Sequence, residues 1–317
     1  MTDTPFNPIP HKQIHPARQF FIFIGLFLLI YIIGNILGGV VILASYGKDV
    51  LTDIANLNIT AKNQNAVWLL QFIGVTLPIL ISPVIFSKYF IHEPDEYLKT
   101  NFNFPWILII VVFFTMMISL PLIEFLSNLN AKMTLPRFLK GLEEWMRDTE
   151  GSAKKISDGM MEMRTIWNMI FALIFIGLLT AVVEEIMFRG CLQTILMKWS
   201  KNKHIAIWIT AILFSAFHME FFGFLPRMML GLLFGYFAAW SGSVWPGIWG
   251  HFVNNGTIVV LTYLQQRKML GFDPDSPHLF NSTVYIISLI ITLFLLFIYR
   301  YISNKKQIAD INGEELD

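Results

Sequence analysis

One cysteine, Cys191, in 317 residues excludes an internal disulfide and any metal site built from several thiolates. Charge is scarce too: Asp, Glu, Lys and Arg make up 14% of the chain, where soluble globular domains carry about 25%. The formal balance of +1 leaves no basic face of the kind that binds nucleic acid. No internal repeat and no second domain stand out. What fills the chain is apolar, 55% hydrophobic and 15% aromatic, with a mean hydropathy of +0.58. That composition describes a polytopic membrane protein, and a membrane-spanning segment that is not part of a closed barrel must be helical to satisfy its own backbone hydrogen bonds.

A helix needs roughly 20 apolar residues to cross the hydrocarbon core. Apolar runs lie at 20–44, 66–91, 105–125, 166–188, 205–218, 227–240, 244–264 and 284–302. They predict an all-α transmembrane bundle of about eight spans, forming a single membrane domain over 1–317. The polar segment 1–18 precedes a first run that is longer than a signal-peptide core and lacks a clear cleavage site, so that run is expected to remain as a span. Between the third and fourth runs, 134–164 is polar, yet Leu135, Phe138, Leu139, Leu142 and Trp145 recur at helical spacing. This is the pattern of an amphipathic interfacial helix, with a solvated helical hairpin as the alternative. The tail 304–317 is polar and is expected to lack structure.

An amino terminus on the inside places Lys12, Arg18, Lys88, Lys99, Lys198, Lys201, Lys203, Arg300, Lys305 and Lys306 on the cytoplasmic side. The positive-inside bias therefore favours an integral protein of the plasma (inner) membrane with a cytoplasmic amino terminus. The basic residues of 134–164 argue the other way.

Against this apolar background the fourth run contains Glu184, Glu185 and Arg189. An ionisable side chain at mid-membrane costs about 2.5–3.5 kcal/mol, so such groups pair with one another or line a functional cavity. On a helix Glu185 and Arg189 share a face, whereas Glu184 points about 100° away. Arg189 can therefore hold Glu185 as a structural ion pair, which frees Glu184 to move a proton between water and a leaving amine. Phe214 and His218 stand one above the other in the fifth run, and His251 and Asn255 do so in the seventh. An imidazole and a carboxamide facing one space can donate hydrogen bonds to a developing oxyanion.

The ordered set Glu184-Glu185-x-x-x-Arg189, Phe214-x-x-x-His218 and His251-x-x-x-Asn255 resembles the three signatures of the CPBP family, the CAAX-protease and bacteriocin-processing (Abi) intramembrane proteases. The resemblance covers roughly 165–262. It implies a membrane-embedded endopeptidase acting on a lipid-modified (CAAX-like) or hydrophobic membrane protein or peptide. Glu184 and His218 would activate water, His251 and Asn255 would stabilise the oxyanion, and Glu185, Arg189 and Phe214 would shape the site. The family has been described as both metalloprotease and glutamate protease. Glu184, His218 and His251 could form an open three-ligand zinc site, but the familiar zinc-protease spacing is absent, since His92-Glu93-Pro94-Asp95-Glu96 lacks the second His. Hydrolysis without a cofactor is the preferred expectation.

Two other classes compete. A proton-coupled carrier could use the same groups as a relay, although no pair of interrupted spans suggests inverted repeats. A non-catalytic immunity or partner-binding member of the same family is the other. Several residues receive bland readings: His204 as interfacial, Gly231 and Gly235 as a close helix contact, Glu220 as a solvated span end, and Trp245, Pro246 and Trp249 as shaping the entry to the His251 helix.

Overall fold

The structure, a computed structural model, describes residues 14–271 and 279–314. Most of the polar amino-terminal segment, including Lys12, lies outside the described residues. Among these residues all regular structure is helical, in ten helices that we number α1 Pro16–Ala55, α2 Gln64–Ile91, α3 Pro94–Leu98, α4 Ile107–Ala131, α5 Lys140–Met160, α6 Ile166–Ser200, α7 Lys203–Phe217, α8 Phe224–Ser241, α9 Trp245–Gln266 and α10 Ser282–Glu314. All eight expected runs are helical. Six helices, α1, α2, α4, α6, α10 and α8 with the turn before it, are long and apolar enough to cross a membrane. The other two fall short for different reasons: α7 is short, and α9 carries His251, Asn254, Asn255, Gln265 and Gln266.

Local chemistry sets the helix ends. Thr165 and Asn168 form a reciprocal capping box at the start of α6. The Asn202 side chain accepts from the His204 and Ile205 N–H groups at the start of α7. Within 134–164 a single helix of 21 residues forms, Lys140–Met160, and not the alternative hairpin. One expectation needs correction: α10 runs on to Glu314 through most of the tail expected to lack structure.

Lipid-facing surface is plain on the outer helices, where Ile36 of α1 is 64% exposed and Phe297 of α10 is 66% exposed. On a soluble protein such contiguous apolar surface would be an aggregation hazard. The interior is packed around aromatic side chains, Phe23, Phe86 and Phe188 on one side of the site and Phe234, Phe237 and Tyr299 on the other.

Polar ties mark the two ends of the bundle. At one end Gln64 Nε2 donates to Gly159 O (2.9 Å), Gln266 Nε2 donates to Met161 O (2.8 Å) and Asn130 Nδ2 donates to Phe221 O (3.0 Å). The first two seat the carboxyl end of α5 there, and the third ties α4 to the turn before α8. At the other end Ser243 Oγ donates to Asn101 O (2.6 Å), Trp245 Nε1 to Thr100 O (2.8 Å) and Tyr97 OH to Gln19 Oε1 (2.6 Å).

Candidate active site

The fourth run continues past Arg189 to Ser200, as the apolar pattern predicts, but α6 is not a uniform α-helix. Two π-helical stretches, Leu173–Leu179 and Ile186–Leu192, bracket the α-helical turns Thr180–Glu185 that carry both carboxylates. A π turn leaves carbonyl groups without their usual partner four residues on. Two are taken up by side chains: Thr180 Oγ1 donates to Phe175 O (3.1 Å), and Asn255 Nδ2 donates to Ile176 O (3.2 Å). The second bond ties the candidate carboxamide of α9 directly to the irregular backbone of α6.

Glu185 and Arg189 are both fully buried and pair at 2.7 Å. Arg189 Nη2 also donates to Gly231 O (3.1 Å), and its guanidinium lies 4.4 Å from the centre of the Phe214 ring. A buried charge left alone would be strongly destabilising, so this pair is what admits Glu185 to the interior. The same carboxylate oxygen receives His251 Nδ1 at 2.9 Å. His251 is further fixed by stacking on Phe234 at 4.9 Å and 14°.

His218 ends α7. Its Nδ1 lies 2.8 Å from Phe214 O, and because a carbonyl oxygen only accepts, Nδ1 carries the proton. Nε2 of His218 and Nε2 of His251 then both point at Glu184 Oε2, each at 3.9 Å. Glu184 Oε2 is buried and has no other partner. A carboxylate oxygen and two imidazole nitrogens thus converge from three helices. Their spacing suits a bridging water, whose hydrogen bonds span about 2.7–3.2 Å each.

The sequence also nominates these three side chains as zinc ligands, and the hydrogen bonds made by both Nδ1 atoms are of the kind that orients metal-bound histidines. Ligands held at about 2.0–2.1 Å in a tetrahedral site stand roughly 3.4 Å apart, closer than the 3.9 Å separations here. Among the described residues no group of three His, Cys, Asp or Glu has metal-binding geometry. The donor set is right in kind and too open in this geometry.

Around the convergence lies a chamber of about 380 Å³, with walls that include Ile176, Phe214, Leu230, Phe234 and Ile258 and polar groups from Glu184, His218, His251 and Asn255. All four sequence-nominated residues therefore line one space, with Phe214 in its wall and Glu185 and Arg189 behind it. The chamber extends to α5, which supplies Ser157, with Met161 just beyond the helix end. Two charged residues were not assigned to it by sequence pattern. Glu220 lies just past the end of α7 with its side chain 30% exposed, and it also lines the chamber and pairs with Arg227, another wall residue. The signal for that pair is weak, an acid and a base seven residues apart across a turn. His204 is exposed and hydrogen-bonds Tyr236 OH (2.9 Å), as an interfacial residue can.

Comparison with known proteins adds to this geometry. Residues 166–257 match the family model described as type II CAAX prenyl endopeptidase Rce1-like, a stretch that contains every motif residue named above. The uncharacterized protein YpbD of Bacillus subtilis is 31% identical over 85 residues, which cover 26% of this chain and 40% of that protein. The chain thus spans less than half the length of that relative. No solved structure matches the chain. Over residues 166–257 the chain is thus similar to the type II CAAX prenyl endopeptidase Rce1-like family.

Proposed function

We propose that this integral membrane protein is an endopeptidase that hydrolyses a peptide bond in a lipid-modified or hydrophobic membrane-associated substrate, by a glutamate-type, cofactor-independent mechanism. The observation that carries the reading is Glu184 Oε2 standing 3.9 Å from both imidazole Nε2 atoms inside a largely apolar chamber. Water held between Glu184 and His218 gives its proton to Glu184 as its oxygen attacks the scissile carbonyl carbon. The carbonyl becomes an oxyanion, to which Asn255 can donate its remaining N–H. His251 can join it only when doubly protonated, because its Nδ1 proton is already engaged by Glu185. Collapse of the intermediate breaks the C–N bond, and the proton held by Glu184 passes to the leaving amine.

The apolar walls support a hydrophobic substrate segment. We propose a cytoplasmic amino terminus, on the strength of the basic residues gathered at the end of the bundle where α1 begins.

The test uses purified full-length protein in bilayers and two quenched fluorescent peptides, one with a prenylated cysteine and one plainly hydrophobic. Glu184→Gln should reduce kcat by roughly 10²- to 10⁴-fold, the usual worth of a general base, with membrane insertion unchanged. Retained cleavage in that variant refutes the assignment. Loss of wild-type turnover on chelation, restored by zinc, would replace the cofactor-free mechanism.

A further inference from the structure

α7 ends at His218, whose own hydrogen bond reaches only back to Phe214 in the same helix. The direction of its imidazole therefore depends on how the chain leaves the helix. Met219 adopts a left-handed conformation, φ 55°, which a non-glycine residue keeps only when its surroundings impose it. The turn that follows is clamped from three helices. Asn130 of α4 donates to Phe221 O (3.0 Å) and accepts from Leu225 N (2.6 Å). Arg227 of α8 donates to Glu220 O (3.3 Å) and pairs with the Glu220 carboxylate. From α5, Glu150 Oε2 accepts the Phe222 N–H (2.9 Å), the Arg147 guanidinium lies 4.1 Å from the centre of the Phe222 ring, and Trp145 packs on Phe221 with ring centres 5.5 Å apart.

We propose that α5 acts on the site through this turn, with Glu150 as a positioning residue for His218. This rests on the hydrolase reading above for its catalytic consequence, though not for its geometry. α5 is otherwise attached to the bundle chiefly at its carboxyl end, where Gln64 holds the Gly159 and Met160 carbonyls. Its middle meets the bundle through the turn after His218. Loosening that contact frees the left-handed residue next to His218 and lets the imidazole leave its line to Glu184. The purely structural alternative, in which Glu150 adds only stability, predicts no specific effect on His218.

The test uses the full chain in detergent or bilayers and reads two signals. The first is the rate at which diethyl pyrocarbonate modifies His218, followed by peptide mass spectrometry, which requires no turnover. Glu150→Ala should raise that rate about fivefold, as loss of a partly buried hydrogen bond shifts a local opening equilibrium. Glu150→Gln keeps an acceptor for Phe222 N–H and should behave as wild type. The second signal is hydrolysis of whichever of the two fluorescent peptides the wild type cleaves. Glu150→Ala should lower kcat between roughly tenfold and a hundredfold at near-constant KM, the cost of misplacing a catalytic group by about 1 Å. Joining Trp145→Cys and Phe221→Cys with a short bis-maleimide in the Glu150→Ala background should restore both signals, and the buried Cys191 will not compete.

Unchanged His218 modification in Glu150→Ala, a defect confined to KM, or no recovery on cross-linking would each overturn the proposal. If Glu184→Gln retains cleavage, the hydrolase reading fails on its own, while the modification rate still reports whether Glu150 holds His218.

Discussion

At the scale of single residues, the most consequential choice is that the two adjacent carboxylates have different partners. Glu185 is neutralised by Arg189 and braces His251, so its negative charge is spent on structure. Glu184 keeps one buried oxygen without a protein hydrogen bond. Arg189→Met should destabilise the protein by about 3–5 kcal/mol, the cost of stranding a buried charge, seen as a lowered unfolding temperature in detergent. Adding Glu185→Gln to that variant should recover most of the loss, since the introduced amide is uncharged and its oxygen would still accept from His251.

The helical spacing made this division legible: Arg189 lies four positions after Glu185, on the same face, whereas Glu184 is its immediate neighbour on another. The Arg227–Glu220 pair was not legible, because its two members meet across a turn whose conformation no short-range pattern dictates.

Lys99, after α3 and outside the spans, offers a pH test. Burial pulls its ammonium from 10.5 down to about 8, against the opposing pull of Glu96. The folded protein gives up this proton more readily than the unfolded chain, so between about pH 8 and 10.5 the unfolded state binds more protons and the Lys99 contribution to stability rises with pH. Acylation of Lys99 by an amine-reactive ester should level off above about pH 8, while exposed lysines keep gaining reactivity toward 10.5. A Lys99 profile matching the exposed lysines would contradict this.

Among the elements, α6 departs furthest from what its hydropathy suggests. Its length and continuity follow from an apolar run with no firm stop before Ser200, but the two π stretches leave no mark in composition or periodicity. They arise from tertiary demand, in which Asn255 and Thr180 take carbonyls that a regular helix would use internally. Counting rise per residue from the helix ends could not place Glu184 and His218 at one depth; the structure brings them within 3.9 Å.

That Gly231 and Gly235 of α8 serve a close helix contact was readable in advance; that the partner is α7 was not. A Cβ at Gly231 would stand 3.1 Å from Cα of Ala211, and one at Gly235 would stand 2.9 Å from Ile207. Backbone cannot yield as a flexible side chain does, so Gly231→Val should cost about 1–3 kcal/mol by overpacking. Thermal unfolding of the purified variant measures it, and wild-type stability would show that the helices separate freely.

For the molecule as a whole, the polar ties sort the loops into two sets. The loops near Lys62 and Lys268, and Lys154 within α5 itself, belong to the end capped by α5, and Lys201 and Lys203 to the end where α1 begins. With Cys191 buried, single cysteines at those five positions can be probed in sealed vesicles with a membrane-impermeant maleimide. The first three should label from one side only and the last two from the other. Mixed labelling within either set would contradict the threading. The bundle and the gathering of the candidate residues were legible because apolar runs and intramembrane charge are strong signals. The number of crossings was less so, since α7 is short and α9 trades hydropathy for the groups it carries.

The chamber reaches toward α5, at the end of the bundle opposite the first turn of α1. On the hydrolase reading proposed above, a fragment severed inside and leaving by that route would be discharged into the compartment that the start of α1 does not touch. A reporter fused to the amino terminus would thus sit across the bilayer from that fragment, and with the proposed cytoplasmic amino terminus the expected trace of such cleavage is a fragment outside the cytoplasm rather than one retained in it.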